Sequence, residues 1–311
     1  MTAAAPPVTA DDAATRDLRL GLSGVGIAVV MWGLSGVVIK AIDMEALALG
    51  FWRFFVYALI MCGWLAVRGR PPGPRVLRAS MWGGIALGLD IVCFFTAVKM
   101  TSVVNATTIG AMQPLVIACF AALVFGEHIS LRSVLAALVA VAAVVVIVVQ
   151  SSGTPEWSGA GDLFAVGALM AWAAYWIFSK RSTGFITSAE YTAGTGVWAT
   201  LVCLVAGLVA GQDMGVPAPE NWLPLLGLVL GMGVLGHSLM NWSIARIPLW
   251  IGSTLTLLIP VVSSLAAWLF LGEPLTAIQL VAMAVVIASL AVIVTGRPQP
   301  EPIRAPQDTT T

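Results

Sequence analysis

The sequence predicts an all-α membrane protein with ten transmembrane helices, arranged as two inverted five-helix repeats with both termini in the cytoplasm. Three observations predict it: the composition, the recurrence of long apolar runs, and the distribution of Lys and Arg. Of the 311 residues, 59% are hydrophobic and only 10% are charged, and the mean hydropathy is +0.97. A soluble core cannot bury this much apolar surface, so the lipid bilayer is the expected solvent.

Ten apolar runs are each about 20 residues long, the length that a helix needs to cross a hydrocarbon layer of about 30 Å. They lack the alternating pattern of barrel strands, and backbone polar groups in lipid must bond within their own segment, so each run is predicted to be a helix. The predicted spans are 21–39, 46–67, 80–99, 103–125, 131–149, 161–179, 189–210, 222–244, 249–271 and 276–295. Residues 1–17 contain no basic cluster before an apolar core, so we expect the first span to be retained rather than cleaved as a signal peptide.

The positive charges indicate the orientation of these spans. When the N-terminus is placed in the cytoplasm, twelve of the 15 Lys and Arg residues lie on the cytoplasmic side. Only Lys40 and Lys99 lie outside, at helix ends, and the outer loops after spans five and seven carry Glu156, Asp213 and Glu220 instead. The positive-inside rule therefore supports ten spans with both ends cytoplasmic.

The two halves of the chain match at an offset of 146 residues. Pro114 aligns with Pro260, the pair at 126–127 aligns with the Gly-Glu pair at 272–273, and twelve of forty positions are identical between 110–149 and 256–295. Because each copy holds five spans, an odd number, the second copy enters the membrane with the opposite orientation. Such inverted repeats are typical of secondary transporters, whose binding sites lie near the midplane between the halves.

These observations divide the chain into five regions. They are a cytoplasmic tail at 1–20, a first repeat at 21–149, an extracytoplasmic linker at 150–160, a second repeat at 161–296, and a cytoplasmic tail at 297–311.

Several short motifs carry a resemblance to a known family. Each half has a Trp-bearing first helix, span two contains "RFF" at 53–55, "AVKMTSVVNA" follows at 97–106, and a Gly-Glu pair closes the fourth span of each half. Together these motifs resemble the drug/metabolite transporter superfamily, in its ten-helix EamA-type branch. The stretch "IARIPLW" at 244–250 departs from the usual Ala-Leu-Lys run of that branch.

The resemblance implies a secondary transporter that exports small metabolites by alternating access. Some members of the branch export amino acids, including aromatic ones, and we expect neutral or aromatic amino acids as the substrates. The alternative is an exporter of purines or amphipathic drugs, and a channel or scaffold is the alternative of a different class. Span one has no acidic residue, whereas small multidrug exporters of the superfamily carry an essential glutamate there, so a cationic-drug pump is disfavoured.

Two charges lie within predicted spans. Arg53 is about seven residues into span two, and a charge at such depth costs about 2.5–3.5 kcal/mol on insertion scales unless it is compensated. Asp90 in span three is the clearly intramembrane acid, so we expect the two residues to share a water-accessible interior, directly or through water. The alternative is that Arg53 extends toward the outer headgroups.

Other polar and aromatic side chains are candidates for a binding site. His237 and Asn241 are four residues apart and share a helix face, where they bind substrate, couple transport to protons, or only hold the bundle together. The aromatic positions of spans one and six lie mid-span and predict either a cavity wall or ordinary packing. The substrate-binding candidates are Trp32, Ser35, Asp90, Phe94, Gln113, Trp172, Tyr175, Trp176, His237 and Asn241.

The two aligned prolines are candidate hinges. Pro114 and Pro260 each lie near the midpoint of a span, where proline removes a helical hydrogen bond and tends to kink the helix. Matching kinks suit the rocking of one half against the other, and the alternative is a static kink. Gly126 and Gly272 suit helix C-termini, so we interpret the carboxylates of Glu127 and Glu273 as markers of helix ends rather than as catalytic acids.

Motifs of enzymes are absent from the sequence. There is no GxxxxGK[ST] loop, GxSxG elbow or HExxH helix, and the four cysteines lie in apolar spans without CxxC spacing. We therefore expect no enzyme activity, no catalytic residue, no metal and no cofactor. The expected partners are a small-molecule substrate and the lipid bilayer, not nucleic acid, for a monomer in the bacterial inner membrane.

Overall fold

The computed structural model describes residues 10–152 and 158–296. The tail predicted at 297–311, residues 1–9 of the N-terminal tail and residues 153–157 of the predicted linker lie outside the described residues. The helices are Ala10–Ile39, Ala46–Val67, Pro74–Met100, Val103–Ala111, Gln113–Phe125, Leu131–Ser152, Gly159–Ser182, Ser188–Val209, Pro219–Leu228, a π-helix Val229–His237, Ser238–Ile244, Leu249–Leu255, Leu258–Leu271 and Ala277–Thr295.

These helices make ten candidate membrane spans, as predicted. Their bounds are Thr15–Ile39, Ala46–Val67, Pro74–Met100, Asn105–Phe125, Leu131–Ser151, Gly159–Ser182, Ser188–Val209, Pro219–Ile244, Leu249–Leu271 and Ala277–Thr295. The described ranges contain a single isolated β-bridge, between Thr183 and Ile186, and no strand. Span three starts six residues before its predicted start at 80, because Pro74 initiates a polar first turn that the apolar run did not include.

Both prolines predicted to kink their spans lie at helix breaks. Span four is interrupted at Met112, just before Pro114, and span nine is interrupted between Leu255 and Leu258, just before Pro260. The Thr256 carbonyl, which loses its helical partner at the proline, accepts the Ile259 amide at 2.9 Å instead. Each of the two spans therefore breaks just before its aligned proline.

Span eight differs from its prediction, because its centre is a π-helix rather than an α-helix. The Trp32 indole packs into this segment, and its Nε1 donates to the Met232 carbonyl at 3.1 Å. A Cβ at Gly236 would lie 2.7 Å from the same indole nitrogen, so only glycine allows this approach. The wider helix ends at His237.

The Gly-Glu pairs end helices in both copies. Gly126 and Gly272 are left-handed, with φ of 65° and 69°. The amide of the next residue, Glu127 or Glu273, donates to the carbonyl six residues back, at 3.2 and 3.3 Å, as in a Schellman motif. Thr276 then begins span ten with a capping box. The prediction of helix-ending pairs is confirmed.

The main helix packing joins one half of the chain to the other. Span three packs against spans six and seven, span two against seven, span five against ten, and span one against eight and nine. Small residues allow close approach, since a Cβ at Gly84 or Gly88 would lie 2.5 or 2.6 Å from Trp198 Cβ or Val202 Cβ. The interior of the bundle therefore lies between the halves.

The two ends of the bundle hold different loops. We call the end that includes Asp17 and Gly296 the termini side, and the opposite end the far side. On the termini side Arg246 Nε lies 4.0 Å from Asp17 Oδ1, and Gly296 lies beside Arg132. On the far side the Leu47 amide donates to Gln212 Oε1 at 2.8 Å.

Candidate functional site

A cavity of about 300 Å³ lies at the centre of the bundle. Spans one to four line it from the first half, and spans six, eight and nine line it from the second. Most lining residues occupy the half of their span nearer the far side. Small and aliphatic residues such as Ala106, Ala165 and Leu169 form part of the wall, and aromatic and polar side chains form the rest.

The aromatic wall is built around Trp32 and Trp172. Their ring centroids lie 5.5 Å apart in an edge-to-face arrangement, and the His237 ring lies 5.3 Å from Trp32 and 6.2 Å from Trp172. Phe94 lines the same cavity from span three. These rings offer both faces and edges to a ligand.

Arg53 reaches the cavity from span two and is only 6% exposed. Its Nη2 lies 3.4 Å from His237 Nε2, and the guanidinium carbon lies 4.9 Å from the centre of the Phe54 ring. Its Nε is buried and has no hydrogen-bond partner among the described residues. The alternative that Arg53 extends to the headgroups is therefore wrong, because its guanidinium points into the bundle.

Asp90 lines the same cavity without forming an ion pair with Arg53. Within the described residues, ion pairs closer than about 4.0 Å join Lys40 to Glu273 and Arg246 to Asp17. Arg53 and Asp90 thus share an interior, as predicted, and they do not contact each other directly.

A hydrogen-bonded network lies beside the cavity, on its termini side. Tyr175 Oη donates to Asn241 Oδ1 at 3.0 Å, Ser179 Oγ donates to the same oxygen at 2.8 Å, and Asn241 Nδ2 donates to Thr192 Oγ1 at 3.0 Å. His237 Nδ1 lies 3.2 Å from Tyr175 Oη. Since the tyrosine proton goes to Asn241, we assign the histidine proton to Nδ1, which leaves Nε2 as an acceptor for Arg53.

Seven of the ten candidate residues line the cavity and three do not. The lining residues are Trp32, Ser35, Asp90, Phe94, Gln113, Trp172 and His237. Tyr175 and Trp176 are fully buried, and Asn241 is 3% exposed within the network. These three residues do not line the cavity. Tyr175 and Trp176 are one helical turn closer to the termini side than Trp172. For Asn241 the structure shows bonds that hold the bundle together.

The cavity lining also contains residues outside the candidate set, among them Arg53 and Met232. Arg53 was recognised as a buried charge but not as part of the site, and the signal that identifies it is the combination of its depth with an acid in the next span. Met232 lines the cavity from within the π-helix, and nothing in the sequence indicates this.

Glu127 has a role that its interpretation as a helix-end marker did not include. Its carboxylate accepts the Leu249 amide at 2.8 Å and the Trp250 amide at 3.2 Å, both in the first turn of span nine. Lys180 Nζ donates to the carbonyls of Ile244 and Ile247 at 2.7 and 2.8 Å. Glu127 and Lys180 thus fasten the loop between spans eight and nine on the termini side.

The matching residues of the other copy are arranged differently. On the far side Lys40 Nζ lies 2.5 Å from Glu273 Oε1, and both side chains are at least half exposed, at 61% and 50%. Glu273 and Glu127 are therefore in different environments although they occupy matching positions in the sequence.

A bundle of ten membrane-spanning helices with a cavity between its halves is the architecture of a multi-pass membrane transporter. Comparison with known families supports this class. Residues 19–149 and 159–295 match the EamA-like transporter family. The chain belongs to this family, and the resemblance drawn from its motifs is confirmed.

The chain is also similar to individual proteins, at low sequence identity. The chain is similar to a probable amino-acid metabolite efflux pump of Salmonella typhimurium, with 26% identity over 283 residues that cover 87% of this chain and 93% of that protein. It is also similar to the threonine/homoserine exporter RhtA of Escherichia coli, with 29% identity over 132 residues that cover 42% and 43% of the two chains. A solved crystal structure matches with a TM-score of 0.76 over 90% of this chain and 99% of that chain, at 20% identity, which shows the shared fold.

Proposed function

We propose that this chain is a secondary transporter that exports small metabolites, chiefly neutral and aromatic amino acids, across the bacterial inner membrane. The observation that carries the proposal is the cavity of about 300 Å³ between the halves, whose walls include Trp32, Phe94 and Trp172. Its size is within the range of small-molecule sites, and aromatic walls stack well against aromatic or aliphatic side chains. The names of two relatives, an amino-acid metabolite efflux pump and a threonine/homoserine exporter, support this substrate class.

The proposal includes the orientation and the repeat. We place both termini in the cytoplasm, following the positive-inside rule, so that the far side faces outward. The inverted repeats are 21–149 and 161–296, and the two stretches that match the family model support this division. One chain builds the whole cavity, which supports transport by a monomer.

The different environments of the two matching glutamates support transport by alternating access. In the structure Glu127 accepts two amides in the first turn of span nine, and we propose that this contact closes the termini side. The residues that match Leu249 and Trp250 at the same offset are Val103 and Val104, in the first turn of the helix Val103–Ala111. In the opposite state we propose that Glu273 leaves Lys40 and accepts those two amides, while Glu127 releases span nine. The breaks at Pro114 and Pro260 serve as the hinges.

A second substrate class fits one feature of the cavity. The edge-to-face pair of Trp32 and Trp172 also offers stacking surfaces for flat purines and amphipathic drugs. The counterflow experiment that tests the first substrate class also distinguishes it from this second one.

The test is counterflow in proteoliposomes. Purified protein is reconstituted with one unlabelled compound inside, and uptake of its labelled form is followed for a panel of neutral and aromatic amino acids, nucleobases and cationic dyes. We expect saturable counterflow for neutral or aromatic amino acids. Arg246→Gln is the matched control, because this residue lies on the termini side away from the cavity.

The other outcomes each point to a different function. Counterflow of nucleobases or dyes with no signal for any amino acid would refute the amino-acid proposal and favour the second class. A linear flux that does not saturate and shows no counterflow would refute a transporter and indicate a channel.

A further inference from the structure

We propose that Arg53 and Asp90 bind the two opposite charges of a zwitterionic substrate, with Arg53 holding its carboxylate and Asp90 its ammonium group. This inference rests on the proposed function, because it defines the substrate class of the same cavity. It also extends the site, since sequence reasoning did not place Arg53 among the binding residues.

The first argument is the unused hydrogen-bonding capacity of Arg53. The side chain is only 6% exposed, yet within the described residues its one hydrogen bond is the contact of Nη2 with His237 Nε2 at 3.4 Å. Its Nε is buried and has no partner in that part of the chain. An unpaired buried donor is costly, and a guanidinium presents adjacent donors in a planar fork that matches a carboxylate. A ligand carboxylate would satisfy these donors.

The second argument is that the complementary charge is present and free. Asp90 lines the same cavity, and among the described residues it has no hydrogen bond and no ion pair. If the two charges only neutralised each other, a direct pair would be the stronger arrangement. Their separation within one cavity leaves a carboxylate that accepts the donors of an ammonium group.

The third argument is charge balance. Arg53 and Asp90 together contribute no net charge to the cavity, so a ligand with one positive and one negative group pairs both residues and adds no net charge to the membrane interior. A ligand with only one of these charges leaves one residue unpaired.

Gln113 supplies a further donor for the carboxylate. Its Nε2 is part of the cavity wall and is buried without a partner among the described residues.

The aromatic walls of the cavity suit the remainder of such a ligand. Trp32, Trp172 and Phe94 line the same cavity, so an apolar or aromatic side chain attached to the zwitterionic carbon would contact these rings. The charges select the class of α-amino acids, and the rings select among them.

The experiment removes one ligand charge at a time. Uptake of labelled L-phenylalanine or L-leucine by proteoliposomes is competed by the same amino acid, by its amide, which lacks the carboxylate, and by its N-acetyl derivative, which lacks the ammonium group. We expect each derivative to compete about tenfold more weakly or worse, because each loses a charge-assisted interaction. Equal competition by all three compounds would overturn the inference.

Variants then assign each charge to its residue. With Arg53→Gln we expect the amide to lose its disadvantage while the N-acetyl derivative keeps it, and with Asp90→Asn the reverse. Arg53→Lys keeps the positive charge but not the planar pair of donors, so the amide should still compete more weakly than the amino acid. Arg246→Gln and Asp43→Asn change exposed or peripheral charges outside the cavity and should leave every ratio unchanged.

The outcomes separate this inference from the proposed function. If Arg53→Gln and Asp90→Asn weaken all three compounds equally, the residues have a structural role and the inference fails, although amino-acid transport stands. If neither amino acid exchanges while nucleobases or dyes do, the proposed function itself fails. Should either variant not fold, the comparison of the three compounds on the unaltered protein still decides the inference.

Discussion

Replacing Glu127 with glutamine should shift the equilibrium between the two states that we propose. In the structure both carboxylate oxygens accept backbone amides of span nine, at 2.8 and 3.2 Å. Glutamine offers one acceptor oxygen, and its amide group opposes the second backbone N–H. The negative charge at the positive end of the helix is also lost. The substitution therefore weakens the contact that, on our proposal, holds the termini side closed.

The magnitude follows from these two bonds. A hydrogen bond to a charged group contributes about 1.5–3 kcal/mol net, and one of the two is largely retained by glutamine. Glu127 is half-buried, so water replaces part of what is lost. We expect a loss of about 1–2 kcal/mol from the closed state, which changes the ratio of the two states by about 5- to 30-fold.

Spin labels measure this ratio directly. His128→Cys and Ala245→Cys place labels on the two loops that Glu127 joins, in a background where the four native cysteines are replaced. Electron–electron double resonance should give one main distance in the parent protein. In the Glu127→Gln variant a second, longer distance should appear on the termini side.

The matched control is Glu273→Gln, which changes the corresponding residue of the other copy. It removes the contact with Lys40 on the far side and, on our proposal, the amide bonds of the opposite state, so the longer distance should not increase. If Glu127→Gln leaves the distance distribution unchanged, or if both variants change it in the same way, the proposed exchange of the two glutamates is wrong.

Two further predictions concern the packing around the cavity. Gly236→Ala places a Cβ 2.7 Å from the Trp32 indole nitrogen, so it should destabilise the protein by about 1–3 kcal/mol and lower its melting temperature in detergent, whereas Gly227→Ala, with no atom within 4 Å of the new Cβ, should not. Asn241→Leu removes an amide that makes three hydrogen bonds in the network. It should reduce the free energy of unfolding by about 1–3 kcal/mol for each partner left unsatisfied, and so lower the melting temperature. Transport by the folded fraction should keep its preference among substrates, and a changed preference would show that Asn241 contacts the ligand.

The spans could be predicted from the sequence because each feature that marks them is local. Run length identifies the ten helices, proline identifies the breaks before Pro114 and Pro260, and glycine identifies the left-handed ends at Gly126 and Gly272. The π-helix is not predictable from local features, because span eight is apolar on most sides and the indole that packs into the π-helix, Trp32, comes from another helix. Tyr175 and Trp176 share a face with Trp172, and their depth relative to the cavity is set by the packing of span six.

The two glutamates show why a repeat in the sequence need not give two equal sites. Glu127 and Glu273 follow the same left-handed glycine in the same kind of helix end, yet one binds backbone amides and the other binds Lys40. On the inverted repeat that we propose, a molecule with identical contacts in both halves would be symmetric across the membrane, and its cavity would not lie toward one side. If the two copies exchange these contacts, the opposite state has nearly the same hydrogen bonds and ion pairs. The two states then differ in free energy by only a few kcal/mol. A ligand that favours one state by its contacts in the cavity is then sufficient to shift the balance.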